Sequence, residues 1–248
     1  MAYSENLSNY DKEHLKRIRE SKLLIVDLDG TLIDFEKIDN MIISYLFPDN
    51  RLINSIDNIL WKVNNLDVFG NGYSGLKLRL AFYSLFCKRS YNECKKIYAD
   101  MYSKLSQMEF IDVYISTLKE LIDNDYKVII LTKNVYAKKL LESNIFGLDK
   151  KVRKNLQLLI LKKEKKKQFK KIVQQYDKVC VIGNNLSDDV FSSYNIRSPY
   201  IYIGESKIVK GILKLSNCFF DRDKESAINR KGICLRNFRQ VKEIFKRR

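Results

Sequence analysis

The side chains best placed to do chemistry are two aspartates, Asp27 and Asp29, in the run Leu23-Leu-Ile-Val-Asp27-Leu28-Asp29-Gly30-Thr31-Leu32. A continuous apolar run ending in an acid has the pattern of a buried strand. Asp27 is therefore expected at a strand's carboxyl end, with Gly30 letting the backbone turn sharply just beyond it. Two carboxylates this close repel unless a cation lies near both, which calls for a hard, oxygen-preferring ion such as magnesium. With one acid ionised and the other protonated, the pair can supply a nucleophile and a general acid. A calcium loop also begins with spaced acids, but it needs a preceding helix, a glycine at its sixth position and a closing glutamate. Here a strand pattern precedes, and the sixth position is Leu32.

Few other side chains offer alternatives. The 248 residues include one histidine, His14, in a charged segment, so a histidine-based triad or multi-histidine metal site has little to build on. Five cysteines, at 87, 94, 180, 218 and 234, form no CxxC pair, which argues against a zinc site or disulfide scaffold and for reduced thiols in a cytoplasm. Lys and Arg number 46 against 30 Asp and Glu, a formal charge of +16 that favours anionic partners without choosing among them. The excess is local: eleven basic residues against one acid over 150–171, and thirteen against five over 205–248. Runs of this kind also serve as plain solvated surface. No apolar run approaches the roughly 18 residues of a membrane-crossing helix. Residues 1–20 lack the apolar stretch of a secretory signal, so a cytoplasmic protein without a membrane partner is expected.

The elements that must position the aspartates alternate. Apolar runs at 22–27, 127–132, 156–161, 178–182 and 200–203 read as buried strands, and helical spacing fills 11–19, 111–122, 135–141 and 169–176. Alternation implies an α/β, Rossmann-like fold: a parallel sheet with helices on both faces, which binds ligands beyond the carboxyl ends of its strands. One segment breaks the pattern. Residues 36–108 carry helical spacings, such as Ile38-Ile42-Tyr45-Leu46 and Cys94-Ile97-Met101-Leu105, without a buried strand. The expected organisation is a core from 1–35 and 109–248 and a smaller α-helical domain from 36–108. The run Phe69-Gly70-Asn71-Gly72-Tyr73-Ser74-Gly75 is a formal GxGxxG, but no strand precedes it, so it reads as an interhelical loop and not as a dinucleotide site. The tail, 231–248, reads as a last strand and helix, with Ile233, Leu235, Phe238, Val241, Ile244 and Phe245 inward.

Taken in order, three motifs resemble those of the haloacid dehalogenase (HAD) superfamily. Asp27-Leu-Asp-Gly-Thr-Leu-Ile-Asp34 is similar to its first motif, DxDGT after a buried strand. Val128-Ile-Ile-Leu-Thr132-Lys-Asn134 is similar to the second, an apolar strand ending in Thr or Ser, and Gly183-Asn-Asn-Leu-Ser-Asp188-Asp189 to the fourth, GDxxxD. The third motif is a single lysine, and the basic run from Lys162 occupies its interval; Lys165 best fits the helix entrance, with Lys163 next.

The resemblance implies a role for each position. Asp27 would attack phosphorus and form an aspartyl-phosphate; Asp29 would protonate the leaving alcohol and then activate water. Thr132, with Lys133 and Asn134 beside it, and Lys165 or Lys163 would hold the phosphoryl oxygens. Magnesium would be held by Asp27, the Asp29 backbone carbonyl, Asn184 and Asp188. Asn184 departs from the pattern, which has an acid there, so one negative charge is missing, for which Asp189 offers a neighbouring carboxylate. The helical insertion resembles a cap that closes over the site and sets specificity, with Tyr73, Lys77 and Arg79 as candidate contacts and Trp61 as packing. The implied activity is a magnesium-dependent phosphatase acting on a small phosphorylated metabolite, since an acid at position 29 favours phosphate esters over carbon–halogen bonds. A phosphomutase is the near alternative. Nucleic-acid or acidic-partner binding on a degenerate scaffold is a more distant one, motivated by the basic runs.

Overall fold

The structure is a computed structural model. It describes residues 12–47, 55–56, 72–109, 115–134, 137, 150–161, 165–185, 189, 193, 196–204, 233–235 and 237–245. Six strands form one sheet: β1 Leu23–Val26, β2 Lys127–Thr132, β3 Leu156–Ile160, β4 Val179–Gly183, β5 Tyr200–Ile203 and β6 Ile233–Leu235. Their order is β3-β2-β1-β4-β5-β6, and every pairing is parallel. The direction in which successive strands are added reverses between β1 and β4, and a sheet so wound leaves a crevice outside the carboxyl ends of those two strands.

The continuous apolar runs follow from burial on both faces. Leu24, Val26, Val128, Ile130, Cys180 and Ile182 point into one apolar cluster. Their neighbours Leu23, Ile25, Ile129, Leu131, Val179 and Val181 point into the other. Fully burying each such side chain contributes about 1.5–3 kcal/mol to stability.

Helices cover both sides. The described ones are α1 Lys12–Arg19, α2 Phe35–Leu46, α3 Gly72–Phe86, α4 Tyr91–Glu109, α5 Ile115–Asp123, α6 Lys150–Asn155, α7 Lys165–Gln175 and α8 Val241–Phe245. Helix α7 buries Phe169 and Ile172 in the second cluster. Ile18 of α1, Leu118 and Leu121 of α5, and Ile244 and Phe245 of α8 enter the first. Between β1 and β2 the described chain is helical. On α4, Cys94, Tyr98 and Tyr102 recur every four residues and are fully buried, as is Tyr83 of α3. Ile38, Ile42 and Ile43 of α2 join them in the same cluster that covers the sheet, so the insertion and the core share one apolar interior. None of the described helices is long and apolar enough to cross a membrane.

Helix α7 begins at Lys165, the residue expected at its entrance, because lysine and glutamine are good helix formers and extend the turn that Phe169 and Ile172 anchor. One expectation needs correction. The glycine-rich loop is shorter than expected. Gly72 to Gly75 already form the first turn of α3, where glycine is tolerated at a helix start, and 69–71 lie outside the described residues. Trp61 and all of 135–141 except Ala137 also lie outside them. In the tail, Ile233, Phe238, Val241, Ile244 and Phe245 are all buried. The Phe245 ring meets Tyr126 edge-on, with centroids 4.9 Å apart. Phe245→Ala is therefore expected to destabilise the protein by about 3–5 kcal/mol in urea unfolding. A loss under about 1 kcal/mol would show that the tail does not complete the core.

Candidate active site

The site starts where β1 ends. The Asp27 amide donates to the Ile182 carbonyl at 2.9 Å, extending the β1–β4 ladder by one residue and fixing Asp27 at the strand tip. The chain then folds tightly: the Leu28 carbonyl accepts from Leu32 at 2.9 Å and Ile33 at 3.0 Å, and the Gly30 amide donates to Ile33 at 2.7 Å. Leu28, Leu32 and Ile33 are buried and anchor the turn from below. Gly30 makes the turn possible at φ +79°, in the region that costs other residues roughly 1–2 kcal/mol. Asp27 is buried, and Thr31, also buried, points its hydroxyl at Asp27 Oδ2 at 3.5 Å.

Asp29, half-buried, is where three elements meet. Thr132, at the tip of β2, donates its hydroxyl to Asp29 Oδ2 at 3.1 Å. Asn134 donates its side-chain amide to Oδ1 at 3.1 Å. The Asn134 backbone amide also donates to Thr132 Oγ1 at 3.0 Å, so the last residue of β2 and the loop just after it orient one another. The third donor comes from the helical insertion: the Tyr102 hydroxyl of α4 reaches Asp29 Oδ1 at 2.5 Å. Burial, and then the Asp29 charge, push the Tyr102 hydroxyl's pKa well above the usual phenol range, so it stays protonated as a donor. A hydrogen bond to a charged group contributes about 1.5–3 kcal/mol.

Beside β1, the tip of β4 supplies the other oxygens. The Asn184 side chain lies across the Gly30 turn, so that a Cβ on Gly30 would fall 1.9 Å from Asn184 Nδ2. Asp189 folds back over Gly183, whose Cβ would meet Asp189 Oδ2 at 2.2 Å, and accepts from the Asn185 amide at 3.1 Å. Asp189 is almost fully buried. Among the described residues, the side chains at the β1 and β4 tips thus offer the carboxylates of Asp27, Asp29 and Asp189 and the amide of Asn184, all oxygen donors. That fits a hard divalent cation in kind and soft metals poorly. Among the described residues no three His, Cys, Asp or Glu converge as a metal cluster.

Of the residues singled out from sequence, Asp29, Thr132 and Asn134 are in direct hydrogen bond, with Asp27 two residues before Asp29 and Asn184 against the adjoining turn. Lys133 follows Thr132 and is half-exposed. Lys165 opens α7, which begins after β3; its side chain, Lys163 and Asp188 lie outside the described residues. Lys77 is exposed, whereas Arg79 is buried with its guanidinium 5.8 Å from the Tyr83 ring centre. Sequence reading missed Tyr102. Its only signal was the four-residue recurrence Cys94, Tyr98, Tyr102, which marks a buried face and nothing more.

The fold is HAD-like. Among solved structures, the chain is similar to YfnB from Bacillus subtilis, a HAD-hydrolase by assignment solved with magnesium bound. The TM-score is 0.58 and the identity 14%, over 74% of this chain and 88% of that one. It is also similar to a Thermotoga maritima protein assigned as a beta-phosphoglucomutase, with TM-score 0.53 and identity 14% over 90% and 97% of the two chains. No protein-family model and no curated protein matches the sequence significantly. Gly30→Ala puts a Cβ where Asn184 stands, and with the φ penalty it is expected to lower the melting temperature by about 2–8 °C. Unchanged melting would mean that the turn and Asn184 are not packed as described.

Proposed function

We propose that this protein is a phosphatase that cleaves a small phosphate monoester through an aspartyl-phosphate on Asp27. The observation that carries the reading is the convergence of Asp27, Asp29, Thr132 and Asn134 at the carboxyl ends of β1 and β2, in the crevice of a HAD-like sheet. Such a constellation has the parts that phosphoryl transfer needs: a nucleophile, a proton carrier and donors for the equatorial oxygens.

In this mechanism an Asp27 oxygen attacks phosphorus, the Asp27–phosphorus bond forms and the bond to the leaving oxygen breaks. The electron pair departs on that oxygen, which takes a proton from Asp29. Water deprotonated by the Asp29 carboxylate then attacks phosphorus, releasing phosphate and restoring Asp27. The Thr132 hydroxyl and the Asn134 side-chain amide, which donate to Asp29, would turn to the phosphoryl group when it arrives. Lys165 or Lys163 would add positive charge, and Lys133 a further cation beside Thr132. Asp27, the Asp29 carbonyl, Asn184 and Asp188 would hold magnesium, which when bound offsets the negative charge shared by phosphate and carboxylates. Asp189, packed over Gly183, holds the loop that carries Asn184. Helices α2–α4 form the cap, which excludes water and selects the alcohol portion of the substrate.

A mutase uses the same aspartyl chemistry but returns the phosphoryl group to a second hydroxyl. Release of free phosphate therefore separates the two readings. The purified protein is expected to hydrolyse p-nitrophenyl phosphate and at least one sugar or nucleoside phosphate, losing activity with a chelator and regaining it with magnesium. Asp27→Asn is expected to lower turnover at least about a thousandfold without lowering thermal stability. Asn184→Asp, by restoring a carboxylate, is expected to reduce the magnesium concentration needed for half-maximal rate. Silence of the wild type across such a panel with magnesium present would refute the reading.

A further inference from the structure

We propose that Tyr102 of the helical insertion is the residue that positions the proton-carrying carboxylate Asp29, so that protonation of the leaving group depends on α4 being seated on the sheet. The inference rests on the phosphatase reading above and extends it to a side chain far from every motif.

The geometry is specific. Tyr102 is fully buried, and its ring stacks on Tyr98 with centroids 6.2 Å apart and planes 13° off parallel. A tyrosine has two side-chain torsions, and a ring clamped in this way leaves its hydroxyl little freedom. That hydroxyl meets Asp29 Oδ1, which also accepts from Asn134, whereas Oδ2 accepts from Thr132. The two carboxylate oxygens are thereby made different. Oδ1 is the oxygen held between the insertion and the β2 loop. Oδ2 accepts from Thr132 while Asp29 is ionised; once Thr132 turns to the arriving phosphoryl group, Oδ2 can carry the proton that the leaving oxygen takes.

Thr132 and Asn134 have a second task, since the arriving phosphate draws on the same donors. Tyr102 comes from α4 and not from the tip of β2, so it retains its hold on Asp29 while they turn to the substrate. General acid catalysis depends on holding the proton within hydrogen-bond reach of the departing atom, and a small loss of aim is costly. The need for that proton also depends on the leaving group. Nitrophenolate departs readily without one, whereas an alkoxide does not.

The test compares kcat/KM, which reports steps through phosphoryl transfer to the enzyme, for p-nitrophenyl phosphate and for an alkyl phosphate that the wild type turns over; sugar phosphates and glycerol 2-phosphate are the probes. Tyr102→Phe keeps the ring and its stack. It is expected to lower kcat/KM on the alkyl ester by on the order of tenfold, while changing that on p-nitrophenyl phosphate less than about twofold, with KM for the alkyl ester little altered. Tyr98→Phe, a buried hydroxyl lost from the same stack, is expected to leave the ratio of the two substrates at its wild-type value. Should Tyr102→Phe fail to fold, Tyr102→Met, whose flexible side chain fills the same space, is read in the same way. Equal loss on both substrates, an unchanged ratio, or failure of both variants to fold would assign Tyr102 to packing and overturn the proposal while the phosphatase reading stands. A wild type inert towards both esters would instead overturn that reading, and this one with it.

Discussion

A carboxylate brought next to a second carboxylate, and half-withdrawn from water, must be met by donors or it will not stay charged and ordered. Asp29 is met from three directions, by Thr132, Asn134 and Tyr102. Much of the architecture serves that requirement. The β1–β2 register brings Thr132 level with the turn after β1, and the Cys94, Tyr98, Tyr102 face of α4 carries a phenol down to it through an apolar interior. Two donors lie at the end of β2 and the third on α4, so the site exists only when the sheet and the insertion are assembled together.

The sheet explains why the chemistry sits where it does. Buried parallel strands leave no polar group available along their length; the first side chains able to act are those at the carboxyl tips. Asp27, Thr132 and Asn184 are tip residues of β1, β2 and β4, brought level by side-by-side pairing. Two glycines then let the loops close on one another. Without a side chain at Gly30 the Asn184 amide can lie over the first turn, and without one at Gly183 the Asp189 carboxylate can fold onto its own strand. These contacts are backbone-tight, which is the condition for holding catalytic groups to a fraction of an ångström.

How much of this was legible in the sequence depended on range. The run Leu23-Leu-Ile-Val could be read as a strand because burial on both faces leaves a continuous apolar signature, and β2, β4 and β5 were legible for the same reason. Asp27, Asp29 and Thr132 were legible because they follow such runs directly. The helix start at Gly72 was not, since three glycines in six residues suggest a turn and only the packing of α3 on α4 overrides that local preference. Tyr102 was invisible for a different reason. It lies 73 residues from the acid it contacts and is one of 15 tyrosines, and a helical stripe says which face is buried but not what a phenol at its end will touch. Asp189 shows the same limit at short range: it is adjacent to another acid, and which carboxylate turns back onto Gly183 depends on the loop and not on composition.

The central claim is that the phosphoryl group passes through Asp27. The most direct measurement is to quench the turning-over enzyme rapidly in acid, reduce it with borohydride, which converts an aspartyl-phosphate to homoserine, and sequence the peptides by mass spectrometry. The account predicts homoserine at position 27 and aspartate retained at 29, 188 and 189. Homoserine at another aspartate, or steady turnover with position 27 unmodified under quench conditions that preserve acyl phosphates, would contradict it.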